Sequence, residues 1–135
     1  TEIYTLSLHD ALPISALTHS TLVDICRFPL TRALAATMMT EAQAIGERLG
    51  AGFRVPMERR IAGAERVGKH KTSMLQDVEA GKPLEIDGML GVVVELAEMT
   101  GVEVPTLRAL YACASLLNKT IQDERVRIKS VPLAG

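Results

Sequence analysis

Beyond about residue 20, apolar residues recur at helical spacing almost to the end of the chain. Leu30, Leu34, Met38, Ile45 and Leu49 step by four or seven. They form one stripe along a helix expected from Pro29 to Gly50, with proline in the first turn and glycine past the last. A shorter helix is expected at Thr21 to Arg27. Another is expected from Pro56 to about Val67, where Met57, Ile61 and Ala64 share a face and the Arg59-Arg60 pair points elsewhere. In the run KTSMLQDVEAGKPLEID, Ser73 and Gln76 have capping-box spacing, and Met74, Leu75 and Val78 supply a buried side. Gly81 and Pro83 then end a helix of about two turns. After Leu84, a stripe of Ile86, Leu90, Val93, Val94 and Ala97 is widened by Val92, Leu96 and Met99, so this helix is expected to be the most buried. Gly101 closes it, Val104-Pro105 forces a new start, and Leu107, Leu110, Tyr111, Ala114 and Leu117 give the last stripe. The pattern fades from Ile121, and Asp123, Glu124, Arg125, Arg127 and Lys129 predict a frayed, solvated tail over 123–135. The fold class is all-α, with five or six helices.

Composition narrows the functions open to such a bundle. A chain of 135 residues fits one core. A net charge of −1 gives no field to attract a phosphate backbone, and 3% aromatic residues leave no stacking platform, so nucleic acid is not expected as a partner. Cys26 and Cys113 stand far apart, outside any C-x-x-C or ligand spacing, which leaves metal and redox chemistry without a motif and suits a reduced cytoplasmic protein. No apolar run reaches the roughly 20 residues of a membrane span, and the first residues lack the basic-then-apolar order of a secretory signal.

Several motifs fail on their chemistry. Gly63 to Lys69 fits G-x-x-x-x-G-K, but His70 stands where a magnesium-binding hydroxyl belongs, and the preceding residues have helical periodicity. Gly50 and Gly52 begin a G-x-G-x-x-G that Val55 breaks, with no βαβ pattern around it. His19 and His70 have no carboxylate or cysteine at ligand spacing and read as surface or cap residues. The basic stretch of Arg54, Arg59, Arg60, Arg66, Lys69 and Lys71 is diluted by Glu58 and Glu65 and reads as a solvated face. Ser73 and Glu85 admit two readings. One is an N-cap and an acid favoured near a helix start; the other is a pair of polar groups at successive helix mouths, converging on one small polar ligand.

The run KTSMLQDVEAGKPLEID, together with VVVELAEMTGVEVPTLRALYA, resembles the C-terminal helical domain of the ketopantoate reductases (2-dehydropantoate 2-reductases). The likeness covers about residues 14 to 120. It rests on S-M-L-Q-D, on an acidic residue in E-I-D twelve positions after the serine, and on G-x-x-x-P-T at a helix start. The resemblance implies a bundle of the 6-phosphogluconate dehydrogenase C-terminal-like type. It also implies a parent enzyme in which NADPH reduces 2-dehydropantoate to pantoate, on the way to pantothenate. It assigns Ser73 to the substrate carboxylate and makes Glu85 the catalytic candidate, hydrogen-bonded to the substrate's hydroxyl and reacting oxygen. Glu85 is expected to act by orienting the substrate.

In that family a lysine precedes an N-P-[IL]-S-A-L-T run, and Pro13 to Thr18 matches the end of that run. Leu12 then stands at the asparagine place and Tyr4 at that of the lysine; tyrosine there is a weak acid with no charge to hold a carboxylate. The opening TEIYTLSLHDALPI resembles a translated sequencing-library adaptor. The expected organisation is an adaptor-derived segment over 1–14, a substrate-binding helical domain over 15–122 and the tail. Such a piece, without cofactor domain or lysine, is expected not to turn over alone. A helical interaction module that dimerises through the Ile86 to Met99 face, and a reductase of another 2-keto acid, are the alternatives.

Overall fold

The computed structural model describes residues 11–52, 56–66 and 68–134. All regular structure among them is helical. Residues 11–18 form α1, and Leu22–Arg27, Pro29–Arg48, Met57–Arg66 and Ser73–Ala80 are α2 to α5. A π-helical turn at Asp87–Gly91 runs into α6, Val92–Thr100, and α7 spans Pro105–Glu124. No described helix is long and apolar enough to cross a membrane.

Helix ends fall where local chemistry puts them. Pro29 and Pro105 open α3 and α7, in the first turn, where the missing N–H costs nothing. Gly81, at φ 73°, closes α5 in the left-handed conformation, with Lys82 N–H donating to Asp77 O at 2.9 Å. A Cβ there would also lie 3.1 Å from Val126 O, because the chain after α7 folds back and Ile128 N–H donates to Val78 O at 3.2 Å. The tail after Glu124 is therefore without helix but tied to α5. His19 closes α1 in the same left-handed way, at φ 58°, with Ser20 N–H donating to Ser15 O. The cap role read for it is the one it has.

The main core joins α1, α2, α3, α5, the π turn, α6 and α7 through Leu12, Ile14, Ile25, Met38, Ile45, Met74, Val78, Leu84, Ile86, Leu90, Ala97, Leu107, Ala114 and Ile121. Residues 11–14, which the adaptor likeness sets apart, are helical and buried in this core, while the first ten residues, including His9-Asp10 and Tyr4, lie outside the described ones. A second, smaller cluster of Cys26, Met39, Ile61 and Ala64 joins α2, α3 and α4.

A buried carboxylate ties the bundle across its width. The residue before α7 is Val104, which has no side chain to cap the helix. Glu41 of α3 does so instead: Thr106 and Leu107 N–H donate to its two oxygens at 3.1 and 2.9 Å. Two orphan amides are thus satisfied, and the negative charge faces the positive end of the helix.

Some expected burial is corrected. Leu30 and Leu49, at the ends of the α3 stripe, are exposed, and so are Val92 and Met99. α6 packs on α3 and the π turn, so its buried residues are Val94 and Ala97; Leu96 is half-buried against the core, and Val92 and Met99 face outward. It is not the most buried helix. Arg60 does not point away with Arg59 but is buried and donates to Gln43. Ile121, where the pattern was expected to fade, is 1% exposed, and α7 continues through it to Glu124.

Candidate functional site

Ser73 is the first residue of α5, not its cap. Thr72 holds the N-cap place in extended conformation, and its Oγ1 accepts from Leu75 N–H at 3.2 Å. The threonine–leucine pair has the N-cap to N3 spacing that a short hydroxyl reaches. Gln76 Nε2 donates to Lys71 O at 3.0 Å, so the cap lies one residue before the Ser73 inferred for it and Gln76 closes no capping box. The shift has a chemical consequence. Ser73 is exposed and makes no side-chain hydrogen bond among the described residues, so its hydroxyl can serve a ligand. The first turn of α5 carries no acid, and nothing there offsets the positive helix end that a carboxylate would meet.

Glu85 lies between two anchors. Leu84 and Ile86 are buried on either side of it, and Leu84 N–H donates to Asn118 Oδ1 of α7 at 2.9 Å. Alternation turns Glu85 outward to solvent. Its Oε2 lies 3.5 Å from where a Cβ on Gly88 would stand, over the π turn. On the same turn, Tyr111 donates to Asp87 Oδ1 at 2.7 Å, and a Cβ on Gly91 would come within 3.2 Å of the Tyr111 oxygen. Glycine at 91 is what lets the phenol lie against the turn. The bond to Asp87 raises the Tyr111 pKa above the usual phenol value, burial and the Asp87 charge adding to it and a hydrogen bond with Ser115 opposing. Tyr111 is thus held as a neutral donor at ordinary pH. The π turn carries an extra residue per turn, a geometry that recurs at functional sites.

Ser73 and Glu85 thus stand exposed at successive helix starts, joined by α5 and the Gly81 turn. The arrangement supplies one neutral donor and one carboxylate acceptor. Three surface grooves lie elsewhere, lined by Thr18, Asp24 and Phe28, by Glu98, Glu103 and Arg108, and by Gln122, Arg125 and Arg127. Among the described residues no group of three His, Cys, Asp or Glu is placed to hold a metal ion. Gly63 to Arg66 are helical, which removes the phosphate-loop geometry, while Val67 and Val55 of the two glycine patterns lie outside the described residues. His70 is exposed.

Thr72, Asn118, Asp87 and Tyr111 were not singled out as site residues from the sequence. Thr72 carried a signal, since a Thr-Ser pair offers two candidate caps. The contacts of Asn118 and Tyr111 span 34 and 24 residues and leave no trace in local pattern.

The family described as ketopantoate reductase PanE/ApbA, C terminal, matches residues 11–118. This chain belongs to that family. A 2-dehydropantoate 2-reductase of Mesorhizobium japonicum is 56% identical over 100 residues, which cover 74% of this chain and 31% of that protein. The PanE/ApbA family ketopantoate reductase of Ralstonia eutropha JMP134 superposes with a TM-score of 0.80 at 25% identity, over 89% of this chain and 41% of its own. The 2-dehydropantoate 2-reductase of Methylococcus capsulatus does so with a TM-score of 0.78 at 28% identity, over 88% and 42%. A D-mandelate dehydrogenase solved with NADH and anilino(oxo)acetate shares the fold at 16% identity and a TM-score of 0.79. The chain spans about a third of the Mesorhizobium reductase. Ser73, Glu85, Thr72, Asn118 and Tyr111 all fall inside the stretch matched to the ketopantoate reductase C-terminal family, as does Ser15 of α1.

Proposed function

We propose that this chain is the substrate-holding part of a 2-dehydropantoate 2-reductase. Ser73 donates to the substrate carboxylate at the start of α5. Glu85 accepts from the substrate hydroxyl and orients the reacting ketone oxygen, which makes it the catalytic residue of this part. What supports the reading is that Ser73 and Glu85, both within the stretch matched to the family, stand exposed at neighbouring helix starts with no side-chain partner among the described residues.

The reductant in this reading is NADPH, the reaction belongs to pantothenate synthesis, and its setting is the cytoplasm. The described residues do not offer a cradle for the cofactor's pyrophosphate: the glycines at 63 and 50 sit in or at the end of helices rather than after a strand. The contribution of this chain is to bind and align the substrate.

A chimera tests the proposal. Residues 11–135 replace the corresponding part of the Mesorhizobium reductase, and NADPH oxidation is followed with 2-dehydropantoate. The expected result is turnover, with kcat/KM lowered about a hundredfold by Glu85→Gln, and KM raised about tenfold by Ser73→Ala through the loss of one charge-assisted hydrogen bond. A folded chimera without turnover, or one indifferent to both substitutions, overturns it.

A further inference from the structure

A chain of buried hydrogen bonds links α1 to the start of α5. Leu75 N–H donates to Thr72 Oγ1 at 3.2 Å, Thr72 Oγ1 donates to Ser15 Oγ at 2.9 Å, and Ser15 Oγ donates to Ser20 O at 2.5 Å. Ser15 is 0% exposed and Thr72 6%. The direction of this relay is fixed by its ends, because an amide can only donate and a carbonyl can only accept. Each hydroxyl in between spends its one proton forward and receives one behind. Neither can rotate away without leaving a buried polar group unpaired.

We propose that Ser15 is a positioning residue, acting through Thr72 to hold the first turn of α5 in the orientation that presents Ser73. The proposal rests on the reading of Ser73 as the carboxylate-binding group. Without Ser15 as acceptor, the Thr72 hydroxyl has no fixed place for its proton, and its lone pair is no longer confined to the Leu75 amide. The turn that carries Ser73 then loosens, although Ser73 itself touches none of these groups. The far end of the relay is also anchored. Ser20 is bound to Ser15 twice, through Ser20 N–H to Ser15 O at 3.3 Å and through the hydroxyl, across the left-handed His19. The relay therefore keys the end of α1, where the P-I-S-A-L-T run lies, to the helix that begins with Ser73. Two stretches 57 residues apart in sequence are set against each other by two hydroxyls rather than by apolar contact alone.

The test uses the 135-residue chain and amide hydrogen exchange read by NMR. Ser15→Ala is expected to speed exchange at Leu75 about tenfold, the loss of one buried hydrogen bond, while Ala114 of α7 keeps its rate. Ser15→Thr, which keeps the hydroxyl, is expected to restore it. An unchanged Leu75 rate overturns the proposal. So does an equal rise at Leu75 and Ala114, which lost stability alone would produce. Should Ser15→Ala fail to fold, the wild-type chain still decides: slowly exchanging hydroxyl protons on both Ser15 and Thr72 are expected at low temperature, and their absence refutes the relay. Titration with 2-dehydropantoate separates the two readings. A Ser73 amide that shifts in wild type and needs about tenfold more ligand in Ser15→Ala supports both. A Ser73 amide that never responds, beside the expected Leu75 behaviour, keeps the positioning role and removes the substrate assignment.

Discussion

The main core and the small α2–α4 cluster divide at α3, where the adjacent Met38 and Met39 are buried in one and in the other. They are built differently. In the main core, residues from six helices and the π turn interlock, and buried polar groups finish the helix ends: Glu41 caps α7, and Thr72 caps α5 with Ser15 behind it. In the small cluster, four residues are closed over by exposed ion pairs, Arg27 with Glu65 and Arg32 with Glu58, each at 3.0 Å. Exposed pairs of that kind add about 0–1 kcal/mol. Ser73 and Glu85 are flanked by Met74, Leu84 and Ile86, all main-core residues. The candidate site thus stands on the stiff part of the molecule, as alignment of a substrate requires.

The comparison breaks if both regions respond alike to a cavity. Leu107→Ala empties a site of 0% exposure among the main-core helices and is expected to cost about 3–5 kcal/mol in urea unfolding. Ile61→Ala, in the small cluster, is expected to cost about 2 kcal/mol, since a shallow site can collapse. Amide exchange in Ile61→Ala should rise in α2 and α4 while Leu75 stays protected. A loosened α5 in that variant would mean that the two clusters are one. A second cut sharpens the role of the buried caps. Glu41→Ala leaves two amides at the start of α7 without their acceptor and is expected to cost about 2 kcal/mol, with Glu41→Gln recovering part of it because one carbonyl oxygen remains. A change within error in Glu41→Ala would show that water replaces the carboxylate.

The same division governs what the sequence shows in advance. Periodicity places α2 to α5 within a residue or two because their stops are local: proline at 29, glycine at 50 and 81, and a serine at 73 one place past the true cap, Thr72. It fails where an element's partner decides. The wide stripe from Ile86 to Met99 reads as deeply buried, yet only the side meeting α3 and α7 is covered, and the inserted π residue changes which positions face inward. Arg60 reads as surface by its charge and is buried against Gln43, a contact 17 residues distant. Ser73 and Glu85 were legible only through the likeness to a family, since any helix start offers a serine or an acid. The groups that hold them in place, Ser15, Asn118 and Tyr111, come from elsewhere in the chain, and no local pattern announces them.

The smallest effect concerns the thiol at the centre of the small cluster. Cys26 is buried and donates weakly to Ile61 O at 3.7 Å. Burial raises its pKa above the usual 9.0, the charge of Glu65 raises it further, and Arg32 pulls the other way. A group whose pKa is higher folded than unfolded contributes its full stability below the unfolded value, and that contribution drains away as pH rises through the folded one. The small cluster should therefore be indifferent to pH up to about 8 and weaken above it, by less than about 1 kcal/mol at pH 10, because the Arg32 charge offsets part of the rise. Thermal unfolding of wild type and Cys26→Ala between pH 8 and 10 reads the difference directly. The variant should start slightly lower and fall less steeply, the two curves converging as pH rises. Parallel curves would mean that the thiol reaches water before the chain unfolds, and that the small cluster opens well within the folded state.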